Sequence, residues 1–263
     1  MGKLVVISDL HCGHKVGLTP PGWQSKTVKG DVCKRNRTAK IRASAWREFK
    51  KTCPQNPEVL IINGDTVDGK GERSGGTELI TTDMMEQCEI AIEAISSIGA
   101  KKIICTYGTP YHTSPGGEDW ESVVAKEIGA EKIGGHEWVE YCGVVFDCKH
   151  HISSSSSPQG RYTALGKEAV WSSLWASRDE SPRSDVIIRS HVHYHRYVGD
   201  SSFLAMTTPA LQCMGSKYGS RFCSGTVDWG LVVFELNSRK KGGYSWEARL
   251  KRLKEQKPTV ISV

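Results

Sequence analysis

The first half of the chain alternates between short apolar runs and longer stretches with helical spacing. The short runs are continuous and rich in β-branched residues, which is typical of buried strands, and they cover residues 3–8, 58–63 and 101–107. The longer stretches repeat apolar side chains every three or four positions, and they cover residues 38–51, 79–98 and 119–128. This β-α-β-α-β order predicts a parallel sheet covered by helices.

Strand-like runs dominate the second half of the chain. Residues 137–141 and 144–148 predict a hairpin, and residues 163–176 predict a helix. Four further strand-like runs cover residues 186–189, 203–207, 229–236 and 244–252. Because no repeat or linker-like stretch divides the chain, we predict one α/β domain over residues 1–263 with two sheets packed between helices.

The composition is that of a globular protein, with 38% hydrophobic and 24% charged residues. The longest aliphatic runs are far shorter than the roughly 20 residues that a membrane span needs, which excludes a transmembrane protein. Nine cysteines without a CxxC pair argue against a disulfide framework or a zinc ribbon. The N-terminus lacks a signal-peptide pattern, so we expect a cytoplasmic protein with reduced thiols and no membrane partner, in the host cytoplasm if it is phage-encoded.

Positive charge is concentrated in two segments, although the whole chain carries only +6. Residues 15–51 hold eleven Lys or Arg against two acidic residues, a net +9 that lies in a predicted basic insert at about 13–51. Residues 239–257 hold eight against two, a net +6, and are best interpreted as solvated surface. The first segment is compatible both with solvated surface and with an anionic partner, such as a phosphate ester or a nucleic acid.

Polar clusters follow five of the predicted strands. They are Asp9 with His11, Asp65 with Asp68, Thr109 with His112, His150 with His151, and His191 with His193 and His195. Seven of the nine histidines lie in these clusters, a pattern that packing alone rarely produces. Because open α/β sheets bind ligands at the carboxyl ends of their strands, we expect the clusters to form one site.

Imidazole and carboxylate ligands together suit manganese, iron, zinc or nickel. At an extended strand end, residues two apart point the same way, so Asp9 and His11 are expected to share one ion. Gly64 permits a tight turn directly after the second strand, which would expose Asp65 at the strand tip. The residue types therefore predict a metal site.

The order of these motifs resembles the calcineurin-like metallophosphoesterases, including the small forms found in phages and bacteria. That family carries DxH, GDxxD, GNH, a lone His and GHxH in this order, and the resemblance spans residues 3–252. It implies a four-layer α/β/β/α sandwich with two mixed β-sheets and two divalent metal ions, of which manganese is the first expectation. It also implies that a hydroxide bridging the two ions attacks the phosphorus atom in line.

The resemblance implies a ligand set for each metal. The ligands of the first metal would be Asp9, His11, Asp65 and His193. Those of the second metal would be Asp65 as a bridge, His150 and His191.

The third motif departs from the family pattern. Thr109 stands where the family has Asn, and a hydroxyl is a weaker ligand than an amide oxygen, so the second metal is expected to bind weakly. His112 comes two residues late. Our first interpretation is a catalytic general acid for the leaving oxygen, and the alternative is a ligand that fills the vacant position. A smaller departure is Ser190, where the family usually has Gly.

Several neighbouring residues have two interpretations. The apolar side chains of residues 144–148 share strand parity with His150, which favours it over His151 as the ligand and leaves His151 near the substrate or behind a ligand. Asp68 is expected to orient a ligand imidazole. Arg161 either clamps a substrate phosphate or is an ordinary surface arginine, and Trp23 either stacks on a base or packs across its loop.

These observations predict a metal-dependent phosphoesterase acting on a phosphate ester. The basic insert favours a phosphodiesterase or nuclease, and the alternative is a phosphomonoesterase acting on phosphoproteins or small molecules. A second alternative is a binding or scaffold protein that kept the fold and lost activity, and Thr109 is the feature in its favour. The sequence leaves the metal, the physiological substrate and the oligomeric state open.

Overall fold

Eleven strands lie within the part of the chain that the computed structural model describes, which is residues 2–25, 37–113, 117–216, 227–237, 239 and 243–254. They are β1 (Gly2–Ile7), β2 (Val59–Asn63), β3 (Lys102–Thr106), β4 (Lys132–Gly134), β5 (Glu137–Tyr141), β6 (Val144–Cys148), β7 (Val186–Arg189), β8 (Arg196–Gly199), β9 (Leu204–Thr207), β10 (Trp229–Leu236) and β11 (Tyr244–Lys251). The helices of the same part are α1 (Arg37–Thr52), α2 (Met84–Ser96), α3 (Pro110–Thr113), α4 (Trp120–Glu127) and α5 (Pro158–Ser177).

The strands form two mixed sheets. The first has the order β11-β10-β1-β2-β3-β4, in which β1 to β4 are parallel and β10 and β11 are antiparallel. The second has the order β5-β6-β7-β9-β8, in which β6, β7 and β9 are parallel and the two edge strands are antiparallel. The parallel sheet predicted for the first half is therefore correct for β1 to β3, and the parallel strand β4 and two antiparallel strands extend it.

Strand parity separates the layers. In β1, Leu4 and Val6 join Phe146 in the apolar cluster between the sheets, whereas Val5 and Ile7 join the cluster under the helices of the first sheet. Both faces of the strand are buried, which explains its continuous apolar run.

The outer face of the second sheet is covered by α5. Leu165 and Ala169 of this helix are buried against Ile187 of β7 and Ala205 of β9. The layers are thus helix, sheet, sheet and helix, which is the α/β/β/α sandwich with two mixed sheets that the motif order implied.

Two helix boundaries differ from the prediction because capping side chains decide them. The predicted helix 79–98 begins only at Met84, since the Asp83 carboxylate accepts the N–H groups of Met85 and Glu86. The predicted helix 163–176 begins earlier, at Pro158, because the Ser157 hydroxyl accepts the Gly160 N–H. The prediction also missed three short elements, α3, β4 and β8.

Part of the predicted basic insert, residues 26–36, lies outside the described residues. In the described part, the buried Arg42 guanidinium of α1 donates hydrogen bonds to the carbonyls of Lys15 and Gln24. These bonds hold α1 against the loop that follows β1. The seven cysteines of the described residues are free thiols, and none of the described helices is long and apolar enough to cross a membrane.

Candidate metal centre

The loops at the carboxyl ends of the strands are paired with one another by backbone hydrogen bonds. The Asp9 N–H donates to the Gly64 carbonyl at 3.0 Å, and the Ser190 N–H donates to the His150 carbonyl at 2.8 Å. Asn63 Nδ2 donates to Ser190 Oγ at 2.6 Å, which ties the end of β2 to the end of β7. The clusters predicted after separate strands therefore meet at one edge of the sandwich. The Ser190 hydroxyl accepts one of the hydrogen bonds that connect them.

The first group of candidate ligands consists of Asp9, His11 and His193. One ligand atom from each lies within 4.8 Å of the others, and all three residues are buried. His193 Nε2 lies 3.2 Å from Asp9 Oδ1 and 3.3 Å from His11 Nε2. Both imidazoles thus turn the same nitrogen toward one carboxylate, as ligands of a shared cation do.

The second group consists of Asp65, His150 and His191, again with ligand atoms within 4.8 Å of one another. His150 Nε2 lies 3.1 Å from Asp65 Oδ2. The Thr109 hydroxyl lies 3.2 Å from Asp65 Oδ2, 3.4 Å from His150 Nε2 and 3.1 Å from His191 Nδ1. The hydroxyl is therefore in hydrogen-bonding range of all three side chains, at the position where the motif order predicted a weak ligand.

Asp65 lies between the two groups. Its Oδ2 is also 3.8 Å from His11 Nε2 of the first group. A third set, His11, Asp65 and His112, again has ligand atoms within 4.8 Å of one another. A single carboxylate thus reaches both groups, which is the geometry expected of a bridging ligand.

Three of the imidazoles are oriented by a hydrogen bond that their Nδ1 atom donates. His11 Nδ1 donates to Asp68 Oδ1 at 2.8 Å, His150 Nδ1 to the Asn63 carbonyl at 2.7 Å, and His112 Nδ1 to the Asp68 carbonyl at 2.8 Å. A neutral imidazole that donates through Nδ1 keeps a lone pair on Nε2. Asp68 therefore orients His11 through its carboxylate and His112 through its backbone, a pattern that accompanies most metal-bound histidines.

The backbone at the candidate ligands corrects one part of the prediction. Asp9 and His11 do not continue an extended strand, because β1 ends at Ile7 and both residues have left-handed φ angles, 51° and 46°. The candidate ligands that share the left-handed region are Asp9, His11, Asp65, His191 and His193. Such angles cost a non-glycine residue of the order of 1 kcal/mol or more, and they concentrate at functional sites. The side chains converge through turns rather than through strand alternation.

At the two buried carboxylates, burial and the neighbouring imidazoles shift the pKa in opposite directions. Burial raises the pKa of Asp9, but the neighbouring His193 and His150 outweigh it and bring the pKa down to about 2. The pKa of Asp65 is also held well below its usual value, against burial, by His150 and His112. Both side chains are therefore ionised anions in the protein interior.

The imidazoles respond in opposite directions. Burial alone would lower the pKa of His150, but the Asp65 and Asp9 carboxylates raise it to about 10. Burial and the charge of His150 lower the pKa of His191 to about 4. A proton on His150 thus places positive charge beside Asp65 and Asp9, whereas His191 is neutral.

The residues fit divalent cations. Both carboxylate oxygens of Asp9 are buried, and neither has a hydrogen-bond partner among the described residues. An unpartnered buried carboxylate is costly unless a cation neutralises it. Carboxylate and imidazole donors that already converge on one point are a suitable set for manganese, iron, zinc or nickel.

Two other predicted histidines lie at the edge of the site. His151 is exposed, and its ring lies 5.0 Å from that of His191, so it flanks the second group without joining it. His195 donates through Nδ1 to the Thr207 carbonyl at 2.7 Å and is absent from the three ligand groups of the described residues. The structure thus brings His150 rather than His151 into the second group, as strand parity favoured.

The two weaker candidates lie against other side chains. The Arg161 guanidinium is 4.2 Å from the centre of the Tyr194 ring, a cation–π contact. Trp23 Nε1 donates to Glu93 Oε2 at 3.0 Å, and its ring packs on the core under α1 and α2. Packing across the loop, the second interpretation of Trp23, agrees with this position.

Two buried side chains that support the site were missed in the sequence. Gln87 of α2 accepts the N–H groups of Asp68 and Gly69 and donates to the carbonyls of Gly69 and Thr81. Glu121 of α4 accepts hydrogen bonds from the loops after β2 and β3. Neither has a signal in the sequence, because a glutamine within a helix and a glutamate in a first helical turn are ordinary.

Comparisons with known proteins give similarity to solved structures only. No model of a protein family matches the sequence, and no curated protein matches it. Vps29 of Chaetomium thermophilum is 11% identical with a TM-score of 0.49, over 95% of this chain and 98% of that one. An archaeal phosphodiesterase is 17% identical with a TM-score of 0.43, over 94% and 99%. Vps29 of Entamoeba histolytica complexed with Zn²⁺ is 8% identical with a TM-score of 0.44, over 94% and 98%. At these values the likeness carries no conclusion about activity.

Proposed function

We propose that this chain is a metal-dependent phosphoesterase of the calcineurin-like type. The observation that carries the proposal is the position of Asp65, whose Oδ2 lies 3.1 Å from His150 Nε2 and 3.8 Å from His11 Nε2, between two groups of candidate ligands. The buried Asp9 carboxylate, which lacks a hydrogen-bond donor, supports it. Two divalent ions held there would act as Lewis acids toward a phosphoryl group and a water molecule.

The chain's own residues divide the work between holding ions and moving a proton. We assign Asp9, His11 and His193 to the first ion, His150 and His191 to the second, Asp65 to both, and Thr109 to the second as a weak ligand. Manganese is the first expectation for both positions. His112 is held by the Asp68 carbonyl through Nδ1, which leaves Nε2 free to donate a proton to the leaving oxygen as a general acid.

The substrate we propose is a phosphodiester, with nucleic acid as the first class to test. The basic segment begins at Lys15, four residues after His11, and Arg42 fastens α1 to that loop. Positive charge that follows Asp9 and His11 so closely in the sequence would attract a polyanion. We also propose that the chain folds as a single domain and acts on this substrate in the cytoplasm.

The test compares two chromogenic esters in metal-free protein titrated with Mn²⁺. Turnover of bis-p-nitrophenyl phosphate with little turnover of p-nitrophenyl phosphate would support a phosphodiesterase, and the reverse would identify a phosphomonoesterase. Added salt then separates the substrate classes, because binding to a polyanion weakens steeply with salt whereas small-ester hydrolysis changes little. Wild-type protein that binds none of Mn²⁺, Fe²⁺, Zn²⁺ and Ni²⁺ would overturn the proposal.

The Thr109 hydroxyl favours a second candidate, a binding protein of low activity. It takes the place of a stronger amide ligand and lies within 3.4 Å of three side chains of the second group. If the second ion binds too weakly to act, the protein would hold one ion and would bind a partner without hydrolysing it. Tight binding of a single Mn²⁺ per chain, without hydrolysis of either ester, is the result that would favour this candidate.

A further inference from the structure

Glu121 connects two of the loops that carry the candidate ligands. It is the second residue of α4, and only 2% of its surface is exposed. Its Oε1 accepts hydrogen bonds from the Thr66 N–H and the Thr66 hydroxyl, both at 2.9 Å. Its Oε2 accepts the Gly108 N–H at 2.6 Å. One carboxylate thus joins the loop after β2 to the loop after β3.

These bonds close a circuit around Asp65. Thr66 follows Asp65, and Gly108 precedes Thr109, whose own N–H donates to Asp65 Oδ1 at 2.6 Å. Asp65 Oδ1 is therefore bound by the loop after β3, and Asp65 Oδ2 faces His150, with its Nε2 atom 3.1 Å away. The orientation of the Asp65 carboxylate depends on the spacing that Glu121 sets between the two loops.

A carboxylate is the group that this position requires. Three donors converge on Glu121, and a carboxylate presents acceptor oxygens to all of them. An amide in its place would keep one acceptor oxygen for Thr66 and turn an NH₂ group toward the Gly108 N–H, so that two donors face each other. Burying a carboxyl group beside Asp65 is unfavourable for the fold unless its hydrogen bonds are made, and these three donors supply them.

We propose that Glu121 is a positioning residue that sets the affinity of the second metal position through Asp65 and Thr109. This inference rests on the proposed function, since it concerns the same site. Glu121 acts through other residues, because its described hydrogen bonds are to Thr66 and Gly108 and not to a candidate ligand side chain.

The test measures Mn²⁺ binding to metal-free wild-type protein and to Glu121→Gln by calorimetry. Supporting groups of this kind change metal affinity about 10- to 100-fold. We expect the weaker of the two dissociation constants to rise by that factor in Glu121→Gln, with little change in the tighter one. Glu127→Gln, the same chemical change at an exposed position of the same helix, should leave both constants unchanged.

The outcomes separate this inference from the proposed function. Wild-type binding of two Mn²⁺ ions together with unchanged constants in a folded Glu121→Gln would overturn the role of Glu121 and leave the phosphoesterase proposal standing. Wild-type protein that binds none of Mn²⁺, Fe²⁺, Zn²⁺ and Ni²⁺ would overturn the proposed function instead. A merely structural role predicts a lower melting temperature of the metal-free variant with both constants unchanged.

A milder variant covers the case in which Glu121→Gln does not fold. Thr66→Val removes only the hydroxyl bond and keeps the backbone bond to Oε1. We expect a smaller rise of the same weaker constant, by about 2- to 5-fold, which corresponds to a single hydrogen bond of about 0.5–1 kcal/mol. An unchanged constant in this variant would count against the circuit around Asp65.

Discussion

The Nε2 atoms of His11 and His193 lie 3.3 Å apart, where the loops of the two sheets meet. His11 donates through Nδ1 to Asp68, so its Nε2 carries a lone pair when the ring is neutral. Two lone pairs at this distance repel each other unless a proton or a metal ion lies nearby, and Asp9 Oδ1 is 3.2 Å from His193 Nε2. The contact therefore needs a hydrogen atom or a metal ion between the two nitrogens, and a cation bound by both rings would meet this need.

Asp65→Asn should abolish turnover, because it removes the negative charge shared by the two ligand groups. We also expect Mn²⁺ binding to fall from two ions to one or fewer, measured by equilibrium dialysis with elemental analysis. Asp200→Asn, in an exposed turn, is the matched control and should behave as wild type. Near-normal hydrolysis by Asp65→Asn would contradict the two-metal proposal.

His112→Ala should slow esters with poor leaving groups far more than activated esters. General acids contribute about 10²- to 10⁴-fold, and an activated leaving group such as p-nitrophenolate needs little of that help. The measurement compares alkyl and p-nitrophenyl phosphodiesters in both proteins. Equal losses on the two substrates would argue that His112 is a metal ligand, in line with its place in the set with His11 and Asp65.

The layers of this fold could be predicted because burial imposes a period on the sequence. A strand buried on both faces, such as β1, has to be apolar at every position, and a parallel sheet has to be covered by helices. The meeting of the clusters also follows from topology, since parallel strands end at one edge. Short elements such as β8 escaped prediction because four residues at an edge carry little periodic signal.

The supporting interactions could not be predicted because they join residues far apart in the chain. Glu121 meets Thr66 across 55 positions, and Asn63 meets Ser190 across 127, with nothing in either local sequence to indicate it. The left-handed φ angle at Asp9 could not be predicted either, because glycine is the residue that adopts such an angle most readily. These are the parts of the site where tertiary contacts override local preference.

The left-handed φ of 71° at His191 leads to a stability prediction. Both His191→Ala and His191→Gly remove the imidazole, but only glycine adopts this angle without strain. We expect the glycine variant to unfold with a free energy about 1 kcal/mol higher than the alanine variant, measured in urea without metal. The opposite order would show that the turn relaxes when the imidazole is removed.

Glu121 should make the metal-free protein less stable as pH rises. Burial and the charge of Asp65 raise the pKa of its carboxyl from the usual 4.5 to about 7. An acid with a raised folded-state pKa favours folding below its unfolded pKa, and that contribution is lost as pH rises through the folded pKa. Between about pH 5 and pH 8 the wild type should therefore lose up to roughly 3 kcal/mol more than Glu121→Gln does.

This difference is measured by urea unfolding in the presence of a chelator, over the same pH range for both proteins. Glu121→Gln is a suitable reference because it keeps the side-chain volume and cannot titrate. Parallel stability curves for the two proteins would contradict a raised pKa at Glu121. Stability that falls in the wild type relative to Glu121→Gln as pH drops below 5 would mean that folding lowers the pKa instead.

Gly108 should tolerate no side chain, because the loop after β3 passes directly over Asp65. A Cβ at Gly108 would lie 2.2 Å from both the backbone nitrogen and Oδ1 of Asp65. Gly108→Ala must push the two loops apart, which we expect to cost about 1–3 kcal/mol of stability. The same displacement should break the Thr109 N–H bond to Asp65 and weaken Mn²⁺ binding. Gly135→Ala is the control, since a Cβ there would have no atom within 4 Å. Wild-type Mn²⁺ affinity in Gly108→Ala would mean that Asp65 keeps its orientation without the close approach of the loops.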